Sequence, residues 1–327
     1  MGGGGSASGS TGGGALILGT VTRFLIALLM LALASRLDAQ PRHEFAELHM
    51  GVETRIVLYA SDANAARAAR TAFARIAALE DIMSDWRPTS EVRRLDQRPR
   101  QWVRVSRPLF DVLSRALTIA RATDGAFDPT VGPVVALWRE ARTRGRLPDS
   151  RALDSARTRV GWQLITLDST RRRVRLATAG MRIDLGGIAK GWILQDALDE
   201  LARHGVTRAL IEAGGDLVVG DAPPGRNGWC IAVAGTDSSL SARAAAITHA
   251  AVATSGAESQ FVEIDGVRYS HVVDPRTGLG LTNGLTATVI APHGASADAL
   301  ATALTVLGSR DGKRVLSRFA NTLASVR

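Results

Sequence analysis

The chain has 327 residues, of which 46% are hydrophobic and 22% charged, with a formal net charge of +9. This balance excludes a chain that is disordered throughout. The single cysteine, Cys230, excludes an intrachain disulfide and a zinc site built from several thiolates. Lysine occurs only at Lys190 and Lys313, and the many arginines are scattered among few aromatics. We therefore interpret the positive charge as solvated surface and expect no nucleic-acid partner.

The N-terminal segment has the pattern of a targeting sequence. A Gly/Ser/Thr tract at residues 2–14 is followed by Arg23, an apolar run at 24–34 and the small residue Ala39. This order resembles an export signal, and the run is short for a membrane span. We predict an export signal or a signal anchor over residues 1–39 and one domain over residues 40–327. The protein is then expected to be exported and periplasmic, with an inner-membrane anchor as the alternative.

Hydrophobic periodicity predicts four helices in the remainder of the chain. They cover residues 63–83, a segment after Ser106 with Gly125 beyond its end, residues 189–204, and residues 296–308. Eight shorter runs predict strands, at 54–59, 164–168, 174–177, 208–213, 229–234, 251–254, 268–273 and 285–291. Strands in clusters with helices at irregular intervals indicate an α+β fold with mixed or antiparallel sheets.

The first candidate binding motif is Asp-Leu-Gly-Gly-Ile-Ala-Lys-Gly at residues 184–191, which we call the glycine segment. It is expected to follow a strand and open a helix, where backbone amides can hold an anion and Lys190 adds a charge. Its spacing matches neither a Walker A loop nor G-x-G-x-x-G. The alternative is a tight turn that needs glycine for a positive φ.

Two further glycine-containing segments allow a binding or a purely structural interpretation. The pair Gly214-Gly215 before Asp216 would let the backbone approach a ligand, or would form a turn with Asp216 as its cap. The segment 123–133 holds Ala126, Phe127 and Asp128 among turn-forming residues. It could wall a pocket, or simply end a helix.

Asp298 and Thr302 lie four residues apart on the last predicted helix and so share one face. A carboxylate and a hydroxyl in this arrangement suit a hard cation, and Mg²⁺ is the natural candidate. The alternative is an exposed aspartate in a first helical turn, where the helix dipole favours it.

His271 is predicted in a strand, on the same face as Tyr269 and Val273. A lone strand histidine is commonly structural. The following Asp274-Pro275-Arg276-Thr277-Gly278 turn favours a site instead, because a rigid loop with charged side chains can orient a charged ligand.

Taken together and in this order, these segments resemble the FAD:protein FMN transferase, or ApbE, family over about residues 45–310. Further matching elements are Met50-Gly51, Met83-Ser84 with Ser90-Glu91, and Ala-Thr-Ser-Gly at 253–256. The resemblance implies two intimate lobes around a flavin cleft. It also implies an Mg²⁺-dependent enzyme that cleaves FAD, transfers FMN to a Ser or Thr hydroxyl of an exported or membrane redox protein, and releases AMP.

The resemblance further implies roles for individual residues. FAD would be bound by Met50, Trp86, Ala126, Phe127, Asp128, Asp184, Lys190, Val272 and Val273. Mg²⁺ would be held by Asp298, Thr302 and a carbonyl near Gly187, and His271 is the candidate base. Departures from the family pattern are Val52, Ser270, Asp96 where Asn is frequent, and residues 257–260. Two other activities stay open: an FAD pyrophosphatase that yields FMN and AMP, and a non-catalytic exported FAD-binding protein.

Overall fold

The computed structural model describes residues 1–5, 40–232, 245–256 and 261–327. Contacts between Cα atoms divide the chain into two units, Met1–Pro41 and Arg42–Arg327, and the second contains every predicted site residue. None of the helices in the described ranges combines the length and apolar character that crossing a bilayer requires. The predicted export segment at 24–34 and the divergent residues 257–260 lie outside the described residues.

The second unit contains fourteen described strands and seven described α-helices. The strands are β1 (Arg42–His49), β2 (Val52–Tyr59), β3 (Val103–Arg104), β4 (Ile165–Asp168), β5 (Arg173–Leu176), β6 (Ala209–Ala213), β7 (Asp216–Val219), β8 (Trp229–Ile231), β9 (Ala245–Ile247), β10 (Ala250–Gly256), β11 (Phe261–Ile264), β12 (Val267–Ser270), β13 (Thr286–Ala291) and β14 (Leu323–Val326). The helices are α1 (Asp62–Met83), α2 (Glu91–Asp96), α3 (Arg107–Ala122), α4 (Gly132–Arg144), α5 (Ser150–Arg157), α6 (Ala189–Arg203) and α7 (Gly294–Leu316).

The main sheet has seven strands in the order β1-β2-β6-β7-β10-β13-β14, and every neighbouring pair is antiparallel. Its central strands alternate between two buried faces. In β2, Ile56 and Leu58 belong to the largest hydrophobic cluster, whereas Val57 belongs to a second cluster with Trp229 of β8. Because strand side chains point alternately to opposite faces, both faces of this sheet carry an apolar core.

The helices α1, α6 and α7 pack together over the face of the sheet that carries the largest cluster. Helices α6 and α7 approach closely where Gly191 faces Gly294. A Cβ atom on Gly191 would collide with the carbonyl oxygen of Gly294, and a Cβ on Gly294 would collide with that of Gly191. Two glycines at one crossing therefore let the two helix backbones touch, which brings the start of α6 against the first turns of α7.

The smaller sheets surround this assembly. Strands β3, β5 and β4 form a three-stranded antiparallel sheet, and β8–β9 and β11–β12 form antiparallel pairs. A third cluster joins α4 to the segment after β12, and it contains Val134, Trp138 and Val273. The indole nitrogen of Trp138 donates to the carbonyl oxygen of Ser270 at 3.2 Å.

The predicted α+β class with antiparallel sheets is confirmed, and all four predicted helices are present. Several boundaries differ from the prediction. The last helix begins at Gly294, and its predicted end at Gly308 coincides with a break in the helix, because the φ of 71° at Gly308 is not helical; a second helical segment then continues to Leu316. Strand β12 ends at Ser270, because the Ser270 hydroxyl accepts a hydrogen bond from the Val272 amide at 3.1 Å and turns the chain. His271 therefore follows the strand instead of lying on its face with Tyr269 and Val273.

Candidate active site

The glycine segment meets the last helix at the start of α6. The N-cap position of α6, Ile188, makes no side-chain hydrogen bond. Instead, the amide of Gly191 in the first turn donates to Asp298 Oδ2 at 3.0 Å. Asp298 is only 7% exposed, so the predicted alternative of an exposed aspartate in a first helical turn is wrong. The carboxylate is fixed from another helix by a backbone donor.

Gly187 lies next to Thr302, which is one helical turn after Asp298 on α7. A Cβ atom on Gly187 would come within 2.9 Å of Thr302 Oγ1 and within 3.5 Å of the Phe127 ring. Neither Gly186 nor Gly187 has a positive φ, whereas Gly214 and Gly215 do, at 57° and 90°. The glycine segment thus needs glycine for close approach, and the second glycine pair needs it for its turn.

Lys190 lies between two carboxylates. Its Nζ is 2.8 Å from Asp216 Oδ2, and Asp216 is 3% exposed. Burial alone would lower the pKa of Lys190, but the charges of Asp216 and Asp298 outweigh it and raise that pKa. Burial, reinforced by the charge of Asp216, raises the pKa of Asp298 to about 7. An added cation beside Asp298 would reverse that shift, because it favours the charged carboxylate.

A main cleft of about 530 Å³ opens beside this cluster. Its walls include three predicted site residues, Met50, Trp86 and Lys190, together with Gly186 of the glycine segment. Met50 has a left-handed backbone with φ of 52°, and its amide donates to Glu80 Oε2 at 3.2 Å. The cleft is large enough for part of an extended ligand whose charged end reaches Lys190.

Trp86 forms an exposed aromatic wall of this cleft. It is 73% exposed, and the guanidinium carbon of Arg139 lies 4.0 Å from its ring centroid. Asp184 contacts both this arginine and the glycine segment: its Oδ2 is 3.6 Å from Arg139 Nη2, and its Oδ1 accepts a hydrogen bond from the Gly186 amide at 2.8 Å. Burial, then the charge of Asp85, raises the pKa of Asp184.

Comparison with known proteins identifies the family of the chain. A profile of the ApbE family matches residues 50–326. The chain belongs to the ApbE family. The FAD:protein FMN transferase of Treponema pallidum is 34% identical over 294 residues, which are 84% of this chain and 81% of that protein. The predicted family and the prediction of an enzyme are thereby confirmed.

Two solved ApbE structures have the same fold. The ApbE protein from Thermotoga maritima is 29% identical, with a TM-score of 0.76 over 88% of this chain and 96% of that one. The flavin transferase ApbE from Vibrio cholerae is 28% identical, with a TM-score of 0.76 over 87% of this chain and 93% of that one. The predicted ApbE-like architecture is therefore confirmed for this chain.

Several predicted ligand residues of the ApbE pattern lie outside the main cleft. The carboxylate of Asp128 accepts hydrogen bonds from Thr130 and from the Trp162 amide, so it ties its own loop together. Ala126 and Phe127 are buried at 2% and 4% exposure, and the Phe127 ring lies next to Gly187. Of these three residues, Phe127 is therefore the one seen beside the glycine segment.

The segment at 270–274 is held by its own backbone contacts. The Val272 amide donates to Ser270 Oγ, and its carbonyl accepts from the Leu281 amide at 2.9 Å. Val273 forms a β-bridge with Gly280, and both valines are 7% exposed. His271 is half-buried and adjoins Val272, which belongs to the same hydrophobic cluster as Phe127 and α7. It does not line the main cleft.

Three residues beside the candidate site were not predicted as site residues. Asp216, predicted only as a turn cap, forms an ion pair with Lys190, and the motif Ala-Gly-Gly-Asp that carries it was the available signal. Glu80 contacts both the Met50 amide and Arg87, which lines the cleft. Arg139 contacts Trp86 and Asp85. The last two lie on regular helical faces, where no local pattern distinguishes them from surface charges.

The residues around Asp298 fit a magnesium ion. The carboxylate of Asp298 lies beside the first turn of α6, and the hydroxyl of Thr302, four residues further along α7, lies beside Gly187, so the glycine segment and α7 offer hard oxygen ligands. Among the described residues, no three His, Cys, Asp or Glu side chains are grouped so as to hold a metal. A site with one carboxylate agrees with this, because Mg²⁺ takes few protein ligands and completes its shell with water and phosphate oxygens.

Proposed function

We propose that this enzyme transfers FMN from FAD to a serine or threonine hydroxyl of another protein, with Mg²⁺ as cofactor and AMP as the second product. The observation that carries the proposal is the contact between the Gly191 amide and Asp298 Oδ2, which holds Asp298 next to Lys190, a residue that lines the main cleft. It joins an anion-binding segment to an oxygen-bearing helix face. The activity of the Treponema pallidum relative supports the same assignment.

The proposed reaction forms one bond and breaks another at the FMN phosphorus. The acceptor oxygen bonds to that phosphorus, the bond to the bridging oxygen of the pyrophosphate breaks, and AMP leaves with that oxygen. The hydroxyl proton passes to a base. Mg²⁺, when bound, would neutralise charge on the transferring phosphoryl group.

The lining of the main cleft offers groups suited to different parts of FAD. The exposed indole of Trp86 and the side chain of Met50 offer apolar surface for the flavin ring. Lys190 offers a positive charge to the pyrophosphate, and Asp216 holds that charge in place at 2.8 Å. Asp298, Thr302 and the Gly187 carbonyl would be the metal ligands.

His271 is our candidate for the base. An imidazole accepts a proton near neutral pH, and the residue lies next to Val272 in the cluster that contains Phe127. Binding of the acceptor beside this segment would bring its hydroxyl and the imidazole together. The proposal assigns His271 to proton transfer and leaves FAD binding to the main cleft.

We also propose that the protein works outside the cytoplasm, in the periplasm or on the inner membrane through an uncleaved signal. The apolar run at 24–34 after Arg23 supports export. The acceptor would then be an exported or membrane redox protein with an accessible Ser or Thr in a short motif. Neither nucleic acid nor a second cofactor enters this scheme.

The test is to incubate the enzyme with FAD, Mg²⁺ and a candidate acceptor domain, and then measure the acceptor's intact mass. The proposal predicts a mass increase equal to esterified FMN, one AMP per modification, and loss of both products with EDTA. AMP release with an unmodified acceptor would favour the pyrophosphatase. FAD binding with neither product would favour the non-catalytic alternative.

A further inference from the structure

We propose that Arg139 is a positioning residue for FAD: it holds the indole of Trp86 in place and connects that ring to the glycine segment. The inference rests on the proposed function, because it concerns the same ligand. Arg139 lies within α4 (Gly132–Arg144), outside the glycine segment and the last helix.

Arg139 contacts the indole ring of Trp86 directly. The guanidinium carbon of Arg139 lies 4.0 Å from the indole centroid of Trp86, which is a cation–π contact. Trp86 is nevertheless 73% exposed, so the arginine covers only a part of the ring surface. An indole supported on one face and open on the other is suited to stack against a planar aromatic ligand.

Two carboxylates, those of Asp85 and Asp184, lie beside the guanidinium of Arg139. Its Nη2 lies 2.6 Å from Asp85 Oδ2 and 3.6 Å from Asp184 Oδ2, and each of these carboxylate side chains is only 10% exposed. Two carboxylates with little solvent exposure beside Nη2 hold this end of the guanidinium more firmly than a solvent-exposed ion pair would. The guanidinium is therefore a rigid support for the ring.

A further hydrogen bond connects this support of the ring to the glycine segment. Asp184 Oδ1 accepts a hydrogen bond from the Gly186 amide at 2.8 Å, so the contacts run from Trp86 through Arg139 and Asp184 to the glycine segment. Trp86 and Gly186 both line the main cleft. This connection sets the distance between the surface for the flavin ring and the amides that face the pyrophosphate.

Lysine cannot reproduce this arrangement. It keeps the positive charge beside Asp85 and Asp184, but it lacks the planar guanidinium that stacks on the indole ring. In Arg139→Lys we expect FAD to bind roughly three- to tenfold more weakly, the range that a partly desolvated cation–π contact supports. KM for FAD should rise by the same factor, and kcat should stay close to its original value.

The test is a double-mutant cycle with Arg139→Lys, Trp86→Ala and the double variant. FAD affinity is measured from the change in flavin fluorescence, and KM and kcat from AMP release. Arg144→Lys is the matched control, since Arg144 is on the same helix, 56% exposed, and paired only with Glu140 among the ion pairs of the described residues. We expect the effect of Arg139→Lys on affinity to disappear in the Trp86→Ala background.

Thermal unfolding of each variant separates positioning from folding. A lowered Tm with unchanged FAD affinity would show a structural role and overturn the inference. Equal effects of Arg139→Lys with and without Trp86 would overturn it as well. If the unmodified enzyme bound no FAD, the proposed function would fall and the inference with it; normal FAD binding by wild type and by Arg139→Lys overturns the inference alone.

Discussion

The Gly191 amide donates to Asp298 Oδ2 at 3.0 Å, although the two residues are 107 positions apart in the sequence. This hydrogen bond joins the first turn of α6 to the first turns of α7. It brings Asp298 of α7 next to the glycine segment, whose Gly186 and Lys190 line the main cleft.

Gly191→Ala should disrupt the crossing of α6 and α7. The added Cβ would collide with the Gly294 carbonyl and come within 2.9 Å of Asp298 Cβ, and both contacts are with rigid groups. We expect a loss of about 1–3 kcal/mol in the free energy of unfolding, together with loss of transfer. Urea denaturation measures the first effect. An unchanged midpoint with unchanged activity would show that the two helices do not approach as described.

Lys190→Gln should both destabilise the fold and weaken FAD binding, because it leaves Asp216 buried without its countercharge. The expected cost is about 1–3 kcal/mol of unfolding free energy, since Lys190 is itself 28% exposed. In the double variant Lys190→Gln/Asp216→Asn, stability should recover and FAD affinity should not. Recovery of both would contradict the proposed role of Lys190 at the pyrophosphate.

Asp96 should make stability depend on pH. Burial raises its pKa to about 7, and the charge of Arg93 opposes this only in part. The folded protein then binds a proton that the unfolded chain, with a pKa near 3.8, releases. This contribution is fully present below about pH 4 and is lost as the pH rises through 7, by on the order of 2–4 kcal/mol.

The measurement is urea unfolding between pH 4.5 and 8, without Mg²⁺, for the wild type and Asp96→Asn. The asparagine keeps an oxygen for the Ile183 amide, which donates to Asp96 Oδ1 at 3.1 Å. The variant should lose the part of the pH slope that Asp96 contributes. Identical slopes for both proteins would mean that Asp96 titrates below this range in the folded state.

His271→Asn should separate chemistry from binding. If the imidazole accepts the hydroxyl proton, the rate of FMN transfer should fall by about 100-fold or more, while FAD affinity stays within twofold. Single-turnover transfer and FAD titration give the two numbers. A similar loss in both would assign His271 to FAD binding, and an unchanged rate would exclude it as the base.

Sequence patterns pointed to the candidate site residues, but they did not predict where every strand ends or which residues contact the site residues. Asp298 and Thr302 could be paired from their spacing of four residues, and Lys190 was conspicuous in a chain with two lysines. The end of β12 could not be predicted, because it depends on a side-chain hydrogen bond of Ser270. The contacts of Arg139 could not be predicted either, because its partners Asp85 and Asp184 belong to distant segments that only the fold brings together.

The role of Asp128 could not be predicted from the sequence either. An aspartate beside a buried phenylalanine has the pattern of a ligand-binding loop, yet its two carboxylate oxygens accept hydrogen bonds from Thr130 and the Trp162 amide. Burial raises the pKa of Asp128, and those hydrogen bonds oppose the shift. Composition alone cannot tell whether such a carboxylate stabilises its loop or faces a ligand, because both need the same residue.

The most direct test of the central claim is the Mg²⁺ dependence of FMN transfer in Asp298→Asn. The asparagine keeps an oxygen acceptor for the Gly191 amide but removes the negative charge that a cation would bind. Asp311→Asn is the matched control, because Asp311 is also on α7, 53% exposed and paired with Arg314. We predict that transfer at fixed Mg²⁺ falls about 100-fold or more in Asp298→Asn and is unchanged in the control. Full transfer by Asp298→Asn at the Mg²⁺ concentration that the wild type needs would contradict a metal site on α7.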